Sequence, residues 1–90
     1  MTISTSLITL GTAAQVVVSP SAEPQLVTLH NMTKSSNQDV YYGNAIVGTG
    51  NAPHIDPGET LHLRLLPTET LYALSNPDGL DLGVFIQRQD

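Results

Sequence analysis

The sequence predicts an all-β protein, a small antiparallel β-sandwich or barrel of about seven to eight short strands. Three observations indicate this class. Apolar and polar residues alternate with a period of two, and no segment shows the 3.6-residue period of an amphipathic helix. Gly, Pro, Asn and Asp interrupt the alternation at roughly 8–12-residue spacing. The length of 90 residues fits a single β-sandwich domain, residues 1–90.

Four strands are predicted in the first half of the chain, at 2–10, 14–18, 25–32 and 39–48. The first, TISTSLITL, ends at a Gly-Thr pair. The second, AQVVV, is a short β-branched run that Pro20 ends, because proline donates no backbone hydrogen bond to a strand ladder. The third, QLVTLHNM, places Val27 and Leu29 on one face. The fourth, DVYYGNAIVG, contains Gly43-Asn44, which predicts a bulge or a tight turn inside it.

Three further strands are predicted at 60–66, 70–74 and 82–88. The Asp-Pro-Gly-Glu segment at 56–59 is a turn signal, because proline fixes φ at about −65° and glycine permits positive φ, as a type II turn requires. The TLHLRLL strand then directs Leu61, Leu63 and Leu65 to the core. Residues 67–69 reverse the chain, so the strands at 60–66 and 70–74 are predicted to form a hairpin. Either the odd-numbered or the even-numbered residues of the second strand are expected to face the core.

The small size of the chain predicts association with other subunits. A domain of this length buries about 60–65% of the surface of its unfolded chain, and its stability alone is marginal. With no cysteine, neither a disulfide framework nor a thiolate zinc site compensates. Association with copies of itself or with a larger surface is the natural compensation. We therefore expect a homo-oligomer, with a trimer as one arrangement.

The charge balance argues against nucleic acid and membrane partners. The chain has three Lys and Arg residues against eight Asp and Glu residues, a formal net charge of −5. Nucleic acid binding needs clustered cations, whereas Lys34, Arg64 and Arg88 are isolated in the sequence. An acidic excess is also unfavourable at an anionic membrane surface. The MTISTSLITL start has no basic segment and no apolar run spans a bilayer, so we expect synthesis in the cytoplasm.

No catalytic site is predicted. The sequence has no cysteine nucleophile and no G-x-S-x-G elbow, and most of its acids stand in turn contexts that explain them. His54, Asp56 and His62 are the best metal candidate, because imidazole and carboxylate groups at this spacing can bind zinc. Solvated or interface histidines are the favoured interpretation. We therefore expect no metal and no cofactor, and a protein that is not an enzyme.

Two loops are the candidate contact sites. The Gly-rich segment at 43–51 is long for so small a domain, and such loops are uncommon unless they bind something; residues 19–25 form the second. Tyr41 and Tyr42 alternate in orientation, so one is expected in the core and the other at the surface, against a partner or a sugar. The candidate contact residues are Ser19, Pro20, Glu23, Pro24, Tyr42, Asn44, Thr49, Asn51 and His54.

Five segments together resemble a known group of proteins. They are GTAAQVVVSPSAEPQLVTLHN, DVYYGNAIV, IDPGETLHLRL, TLYALSN and DLGVFIQ, and the likeness covers the chain from about Thr9 to Gln87. In this order they resemble small virion proteins of tailed bacteriophages. In that group a strand ending in an LHN-like triplet precedes a VYYG-like strand, and a Pro-Gly-Glu turn leads into an alternating leucine strand.

The resemblance implies a β-sandwich fold and a structural role in the virion. The implied function is that of a capsid decoration (cement) protein, which binds the major capsid protein between its subunits on the outer surface of the phage head and stabilises the shell. Docking against several neighbours at once would slow the loss of any one copy. Similar modules also serve as tail, neck or fibre components, and contact with the host surface belongs to this alternative.

Overall fold

The alternating apolar residues form eight strands in the computed structural model, which describes residues 2–35 and 38–88. Their bounds are β1 Thr2–Leu10, β2 Gln15–Val18, β3 Gln25–Asn31, β4 Asp39–Gly43, β5 His54–Ile55, β6 Thr60–Leu65, β7 Leu71–Asn76 and β8 Leu80–Arg88. Valine, leucine, threonine and isoleucine recur in these segments and suit a half-buried pleated surface. Within the described residues, no helix has the length and apolarity needed to cross a membrane.

The strands form two antiparallel sheets that face each other across one apolar core. Sheet A has the order β1-β8-β3-β6, and sheet B has the order β2-β7-β4-β5. The predicted all-β class is confirmed, and the architecture is a sandwich, because each sheet of the described chain keeps two edge strands. The core cluster comprises Leu10, Val17, Val18, Val27, Leu29, Val40, Ile55, Leu65, Leu71, Ala73, Leu80, Leu82, Val84 and Ile86.

The buried faces predicted for sheet A are confirmed. Along β3 buried residues alternate with exposed or half-buried ones, and Val27 and Leu29 point into the core. On β6, Leu65 is buried, while Leu61 and Leu63 are partly buried and pack against the core cluster. Period-two alternation therefore assigned the inward face of these strands correctly.

A β-bulge lets the short strand β2 bury two consecutive valines. Its register with β7 shifts between Val16 and Val18, as it does where an extra residue is inserted into one strand of a pair. Val17 and Val18 are both buried, whereas Val16 is exposed. A strand of four residues thus contributes two side chains to the core.

The predicted hairpin of 60–66 and 70–74 is wrong, although both strands exist. β6 pairs with β3 in sheet A, whereas β7 lies between β2 and β4 in sheet B. The turn at 66–69 therefore carries the chain from one sheet to the other. Alternation identifies the buried face of a strand and gives no information about its neighbour. From β7, Leu71 and Ala73 belong to the core cluster.

The turn before β6 has the predicted geometry. Gly58 has a φ of 77°, and the Glu59 N–H donates to the Asp56 carbonyl at 3.0 Å. Positive φ at the third position with this hydrogen bond is the type II arrangement. The Glu59 Oε1 also accepts from the Asp56 N–H at 3.0 Å, which closes the turn from its side-chain side.

The fourth strand ends earlier than predicted. β4 stops at Gly43, because Asn44 starts a turn: its Oδ1 accepts from the Ile46 N–H at 3.0 Å, and its carbonyl accepts from the Val47 N–H at 3.0 Å. A side chain that bonds to the backbone two residues ahead is a common turn device of asparagine. The two-residue strand β5, which the sequence analysis did not predict, then pairs with β4. A strand of two residues is too short to show an alternation of apolar and polar residues in the sequence.

Among the residues that the structure describes, the buried polar side chains are Gln25, Asn31 and Ser75, and all three are hydrogen-bonded within the fold. Ser75 of β7 donates its Oγ to the Leu10 carbonyl at 3.2 Å and so links sheet B to the end of β1. Gln25 Nε2 donates to the Ser19 carbonyl at 3.0 Å. Such bonds offset the cost of burying polar groups, and they give these three residues a structural role.

Candidate functional site

The outer face of sheet A, which points away from the core, carries a patch of apolar side chains. In the register of the sheet, Ile3 lies opposite Gln87, and Leu26 lies on the other side of Gln87. Ile3 and Leu7 are 57% and 62% exposed. The apolar outer face is defined here as Ile3, Leu7, Leu26, Met32 and Phe85. Several large exposed apolar side chains on one face of a sheet indicate a candidate interaction site.

Gly83 opens a depression on the outer face of sheet A. A Cβ atom at Gly83 would lie 3.4 Å from the Met32 sulfur and 3.7 Å from the His30 Cβ, so the thioether lies over the glycine. The depression has a volume of about 250 Å³, and Thr5 and Phe85 contribute to its walls. A flexible, polarisable methionine beside a cavity suits a surface that must adapt to a partner.

Paired histidine and threonine side chains border the patch on the β3–β6 side. Thr28 Oγ1 and His62 Nδ1 are 3.0 Å apart, and His30 Nδ1 and Thr60 Oγ1 are 2.9 Å apart. Each pair is a cross-strand pair in the register of β3 with β6. An apolar centre with a polar rim is the usual anatomy of a protein interface.

The two predicted contact loops lie at the same end of the sandwich. β2 and β4 both run antiparallel to β7, so both strands end beside the start of β7. The loops that follow them, 19–24 and 44–53, therefore leave sheet B together. This proximity was not predicted, because it depends on the order of strands in the sheet.

The loop at 19–24 is fixed against the turn that follows β6. The Ser21 carbonyl accepts from the Thr68 N–H at 2.8 Å, and the Ser21 Oγ accepts from the Glu23 N–H at 3.2 Å. Of the predicted contact residues, Ser19 and Pro20 are exposed, whereas Glu23 and Pro24 are half-buried. Ser19 and Pro20 are thus the members of this loop most available to a partner.

The loop at 44–53 is held by asparagine side chains. Asn51 Oδ1 accepts from the Gly48 N–H at 2.7 Å, and Asn51 Nδ2 donates to the Ile46 carbonyl at 3.0 Å. Tyr42, Asn44 and Asn51 line part of one depression of about 320 Å³. The exposed predicted contact residues here are Asn44, Thr49, Asn51 and His54. Their contact with a partner stays a prediction.

The two adjacent tyrosines point to opposite sides of β4, as the alternation predicted. Tyr42 is half-buried and packs against the core cluster. Tyr41 lies on the outer face of sheet B, where its ring centroid is 5.6 Å from that of His54. Tyr42, the member of the pair chosen as a candidate contact residue, is therefore the one that faces inward.

His54 belongs to a small polar cluster on sheet B. Its Nε2 lies 2.9 Å from Asp56 Oδ1, and one ligand atom from each of Asp39, His54 and Asp56 lies within 4.8 Å of the others. Imidazole and carboxylate groups are donors that zinc accepts. His54 and Asp56 are exposed and Asp39 is half-buried, so the cluster lies at the surface of the molecule.

His62, the third residue of the predicted metal candidate, is not in this cluster. It lies on β6 in sheet A, with its Nδ1 bonded to Thr28 Oγ1, whereas His54 begins β5 in sheet B. Asp39 takes its place, because the register of β4 with β5 sets Tyr41 opposite His54 and so brings the start of β4 close. That pairing is not visible in the sequence.

Sequence reasoning missed the apolar outer face. A signal was available, since TISTSLITL and QLVTLHNM carry apolar residues at both parities. Ile3 and Leu7 share one parity, and Ile8 and Leu10 share the other. A strand with two apolar parities predicts that both faces of its sheet are covered or that one is an interaction surface.

Comparisons with known proteins bear on the fold. No protein-family model matches the sequence, and no curated protein matches it. Among solved structures, the chain is similar to one from the Bacillus endospore appendages, described as a novel family of disulfide-linked pili. The TM-score is 0.55 at 10% identity, over 99% of this chain and 90% of that chain. A de novo designed double-stranded β-helix gives a TM-score of 0.49 at 13% identity, over 99% of this chain and 100% of that chain. At such identities the likeness to the pilus protein concerns the fold.

Proposed function

We propose that this protein is a non-enzymatic structural subunit of a larger protein assembly. In its specific form the proposal is a capsid decoration protein, which binds the major capsid protein on the outer surface of a phage head and stabilises the shell. The protein would be made in the host cytoplasm and would act in the virion. The observation that carries the proposal is the apolar outer face of sheet A.

The apolar outer face supports docking against protein rather than solvent exposure. Four large apolar side chains of this face are exposed to water and take no part in the core: Ile3, Leu7, Leu26 and Met32. Burial of apolar surface contributes about 25 cal/mol per Å², so covering this face favours association. The depression at Gly83 offers shape complementarity to a protruding side chain of the partner.

The arrangement of polar groups also supports a structural role. Gln25, Asn31 and Ser75 are buried, and each is used in hydrogen bonds that hold strands together. Catalytic groups, in contrast, are held in a cleft with a free face toward the substrate. The buried polar groups therefore make the fold rigid, and a protein that stabilises a shell requires a rigid fold.

Purified protein added to undecorated shells tests the proposal. We expect binding in stoichiometric amounts and a higher temperature of shell disruption. Leu26→Ser and Met32→Ser, on the apolar outer face, should weaken binding. Leu66→Ser is the matched control, because Leu66 is similarly exposed but lies in the turn after β6. Failure of the wild-type protein to bind shells, or equal loss with the control, would contradict the proposal.

The second candidate is a tail, neck or fibre component, with contact to the host surface as one of its tasks. The fold shared with a pilus protein is the observation that favours it. A filament subunit and a decoration protein need different partners. The disulfide linkage stated for those pili has no counterpart here, because this sequence has no cysteine. The copy number per particle separates the two: hundreds of copies indicate decoration, and about a dozen or fewer indicate a tail or neck position.

A further inference from the structure

β1 is an edge of sheet A that lacks protection against pairing with another strand. It has nine residues, TISTSLITL, with no charged residue and no proline, and its register with β8 is regular throughout. The other edges are protected: β6 carries Arg64, β5 has two residues, and β2 has four residues and a bulge. Charge, short length and bulges are the usual means of preventing edge pairing.

The odd-numbered residues of β1 present their backbone groups to this edge. The Met32 N–H donates to the Asp81 carbonyl at 3.1 Å, so the backbone of Asp81 faces β3. Adjacent residues of a strand face opposite ways, and Leu82 therefore faces β1, where it pairs with Ile8. Even-numbered residues of β1 thus bond to β8, and odd-numbered residues point away from it.

Gln15 closes one end of the open edge and agrees with this assignment. Its Oε1 accepts from the Gly11 N–H at 3.1 Å, and its Nε2 donates to the Thr9 carbonyl at 3.5 Å. Both are odd-numbered residues: Thr9 lies near the end of β1, and Gly11 follows it directly. The open stretch therefore consists of residues 3–7, and among the described residues no strand pairs with it.

We propose that two copies of the chain pair antiparallel through β1 about a two-fold axis at Thr5. In this register Ile3 of each copy lies opposite Leu7 of the other, and Thr5 lies opposite Thr5. Each pair exchanges two N–H···O bonds, so about six hydrogen bonds form. On the outer face the aliphatic pairs and the threonine pair are favourable cross-strand contacts. The two sheets A become one continuous sheet, with Ile3 and Leu7 of both copies at its centre.

Neighbouring registers are poorer. An axis at Ser4 places Ile3 opposite Thr5, and an axis at Ser6 places Leu7 opposite Thr5, so aliphatic side chains lose their aliphatic partners. An axis at Leu7 needs the backbone of Thr9, which the Gln15 side chain occupies. Among these four registers, only the axis at Thr5 both pairs aliphatic side chains with aliphatic side chains and stays within residues 3–7. Register is specified in this way where one face has a clear pattern.

This inference rests on the proposed function, that of a subunit in an assembly, and adds the partner and the register of one contact. Joining the two copies brings both apolar outer faces onto one side of a single sheet. A dimer would therefore offer twice the docking surface of one copy. Two linked docking surfaces hold a partner longer than one, because dissociation then requires both to release.

Disulfide cross-linking tests the register. Because the sequence has no cysteine, only the introduced thiols can form a disulfide. Thr5→Cys puts two thiols opposite each other across the axis, where Cα atoms of a hydrogen-bonded pair lie about 5.5 Å apart, within disulfide range. Thr9→Cys is the control, because the two Thr9 residues would lie roughly 25 Å apart along the strands. We expect mild oxidation to give covalent dimers of Thr5→Cys only. Equal cross-linking of the two variants, or none, would overturn the register.

A charge at the axis tests the contact in solution. Thr5→Lys places two ammonium groups opposite each other, which disfavours pairing. We expect sedimentation to show a concentration-dependent dimer for the wild type and for Thr9→Lys, and a monomer for Thr5→Lys with an unchanged circular dichroism spectrum. A Thr5→Lys variant that still dimerises would overturn the proposal.

Amide exchange and shell binding separate this inference from the proposed function. A wild-type protein that stays monomeric, with β1 amides protected only when shells are added, would show that another protein takes the edge and would overturn self-pairing alone. A dimer that never binds shells would support the pairing and overturn only the proposed function.

Discussion

The Asn31 side chain ties the two sheets together, because its Nδ2 donates to the Ile55 carbonyl at 2.9 Å in a buried contact. Asn31 ends β3 in sheet A, and Ile55 ends β5 in sheet B. The same Nδ2 donates to the Gln38 carbonyl at 2.9 Å. Its Oδ1 accepts from the Thr33 N–H at 3.1 Å and from the Thr33 hydroxyl at 2.8 Å. Both donors and both acceptor sites of this amide are therefore used.

Replacing Asn31 should destabilise the protein strongly. Asn31→Ala removes four hydrogen bonds of a buried side chain, each of which contributes about 0.5–1.5 kcal/mol. The vacated space adds a cavity term. We expect a total loss of about 2–4 kcal/mol in the free energy of unfolding, measured by urea denaturation followed by circular dichroism.

Asn51→Ala is the matched control for Asn31. Asn51 also bonds to two backbone groups, but it is exposed, so water replaces its partners. We expect its loss to cost about 0.5–1 kcal/mol. Similar effects of the two substitutions would show that Asn31 does not join the sheets in the way the hydrogen bonds indicate.

Two leucines on opposite faces of β3 provide a test of the sandwich core. Leu29 is fully buried between the sheets, whereas Leu26 is on the outer face of the same strand. Leu29→Ala should cost about 2–5 kcal/mol, because it removes buried methyl groups and leaves a cavity. Leu26→Ala should cost about 0.5 kcal/mol or less, as a surface change. Equal costs, measured by urea denaturation, would contradict the assigned faces.

The sequence was sufficient to predict the class of fold and many of the inward faces. Leu29 and Leu65 could be placed because burial of one face of a sheet imposes a period of two on the strand. Pairing partners could not be predicted in the same way. β6 and β7 are separated by one turn, yet they lie in different sheets. The turn at 66–69 leads from sheet A to sheet B and does not close a hairpin.

The candidate sites were predictable only where they depend on local chemistry. The loops at 19–24 and 44–53 carry proline, glycine and asparagine, and these residues mark turns in any fold. The proximity of Asp39 to His54 depends on a two-residue strand and could not be inferred. The apolar outer face depends on β1, β8 and β3 being neighbours, which only the strand order of sheet A reveals.

The contact between His54 and Asp56 should contribute little to stability. The two side chains are 47% and 56% exposed, and exposed pairs of this kind are worth about 0–1 kcal/mol. We expect His54→Ala to change the free energy of unfolding by no more than that. Asp39→Asn should have a similarly small effect, and added EDTA should leave Tm unchanged. A large loss of stability with EDTA would show that the cluster holds a structural metal.

The turn after β6 contains a strained threonine, and relieving it should stabilise the protein. Thr68 has a φ of 70°, and the Glu69 N–H donates to the Leu66 carbonyl at 3.2 Å, which is the geometry that Gly58 adopts in the turn before β6. Left-handed backbone costs a residue with a Cβ about 1–2 kcal/mol. Glycine avoids this cost but loses about 0.5–1 kcal/mol through the entropy of the unfolded chain. Thr68→Gly should therefore raise the free energy of unfolding by about 0.5–1 kcal/mol.

The reverse change at Gly58 is the control for Thr68. A Cβ at Gly58 would have no atom within 4 Å, so Gly58→Thr tests backbone conformation without a steric clash. We expect it to lower the free energy of unfolding by about 0.5–1 kcal/mol, because the backbone strain is partly offset by the lower entropy of the unfolded chain; the value is read from the same urea curves. The Thr68 N–H bond to the Ser21 carbonyl is a backbone contact and remains in Thr68→Gly. A loss of stability in Thr68→Gly would therefore mean that the threonine side chain itself stabilises the turn, against the strain argument.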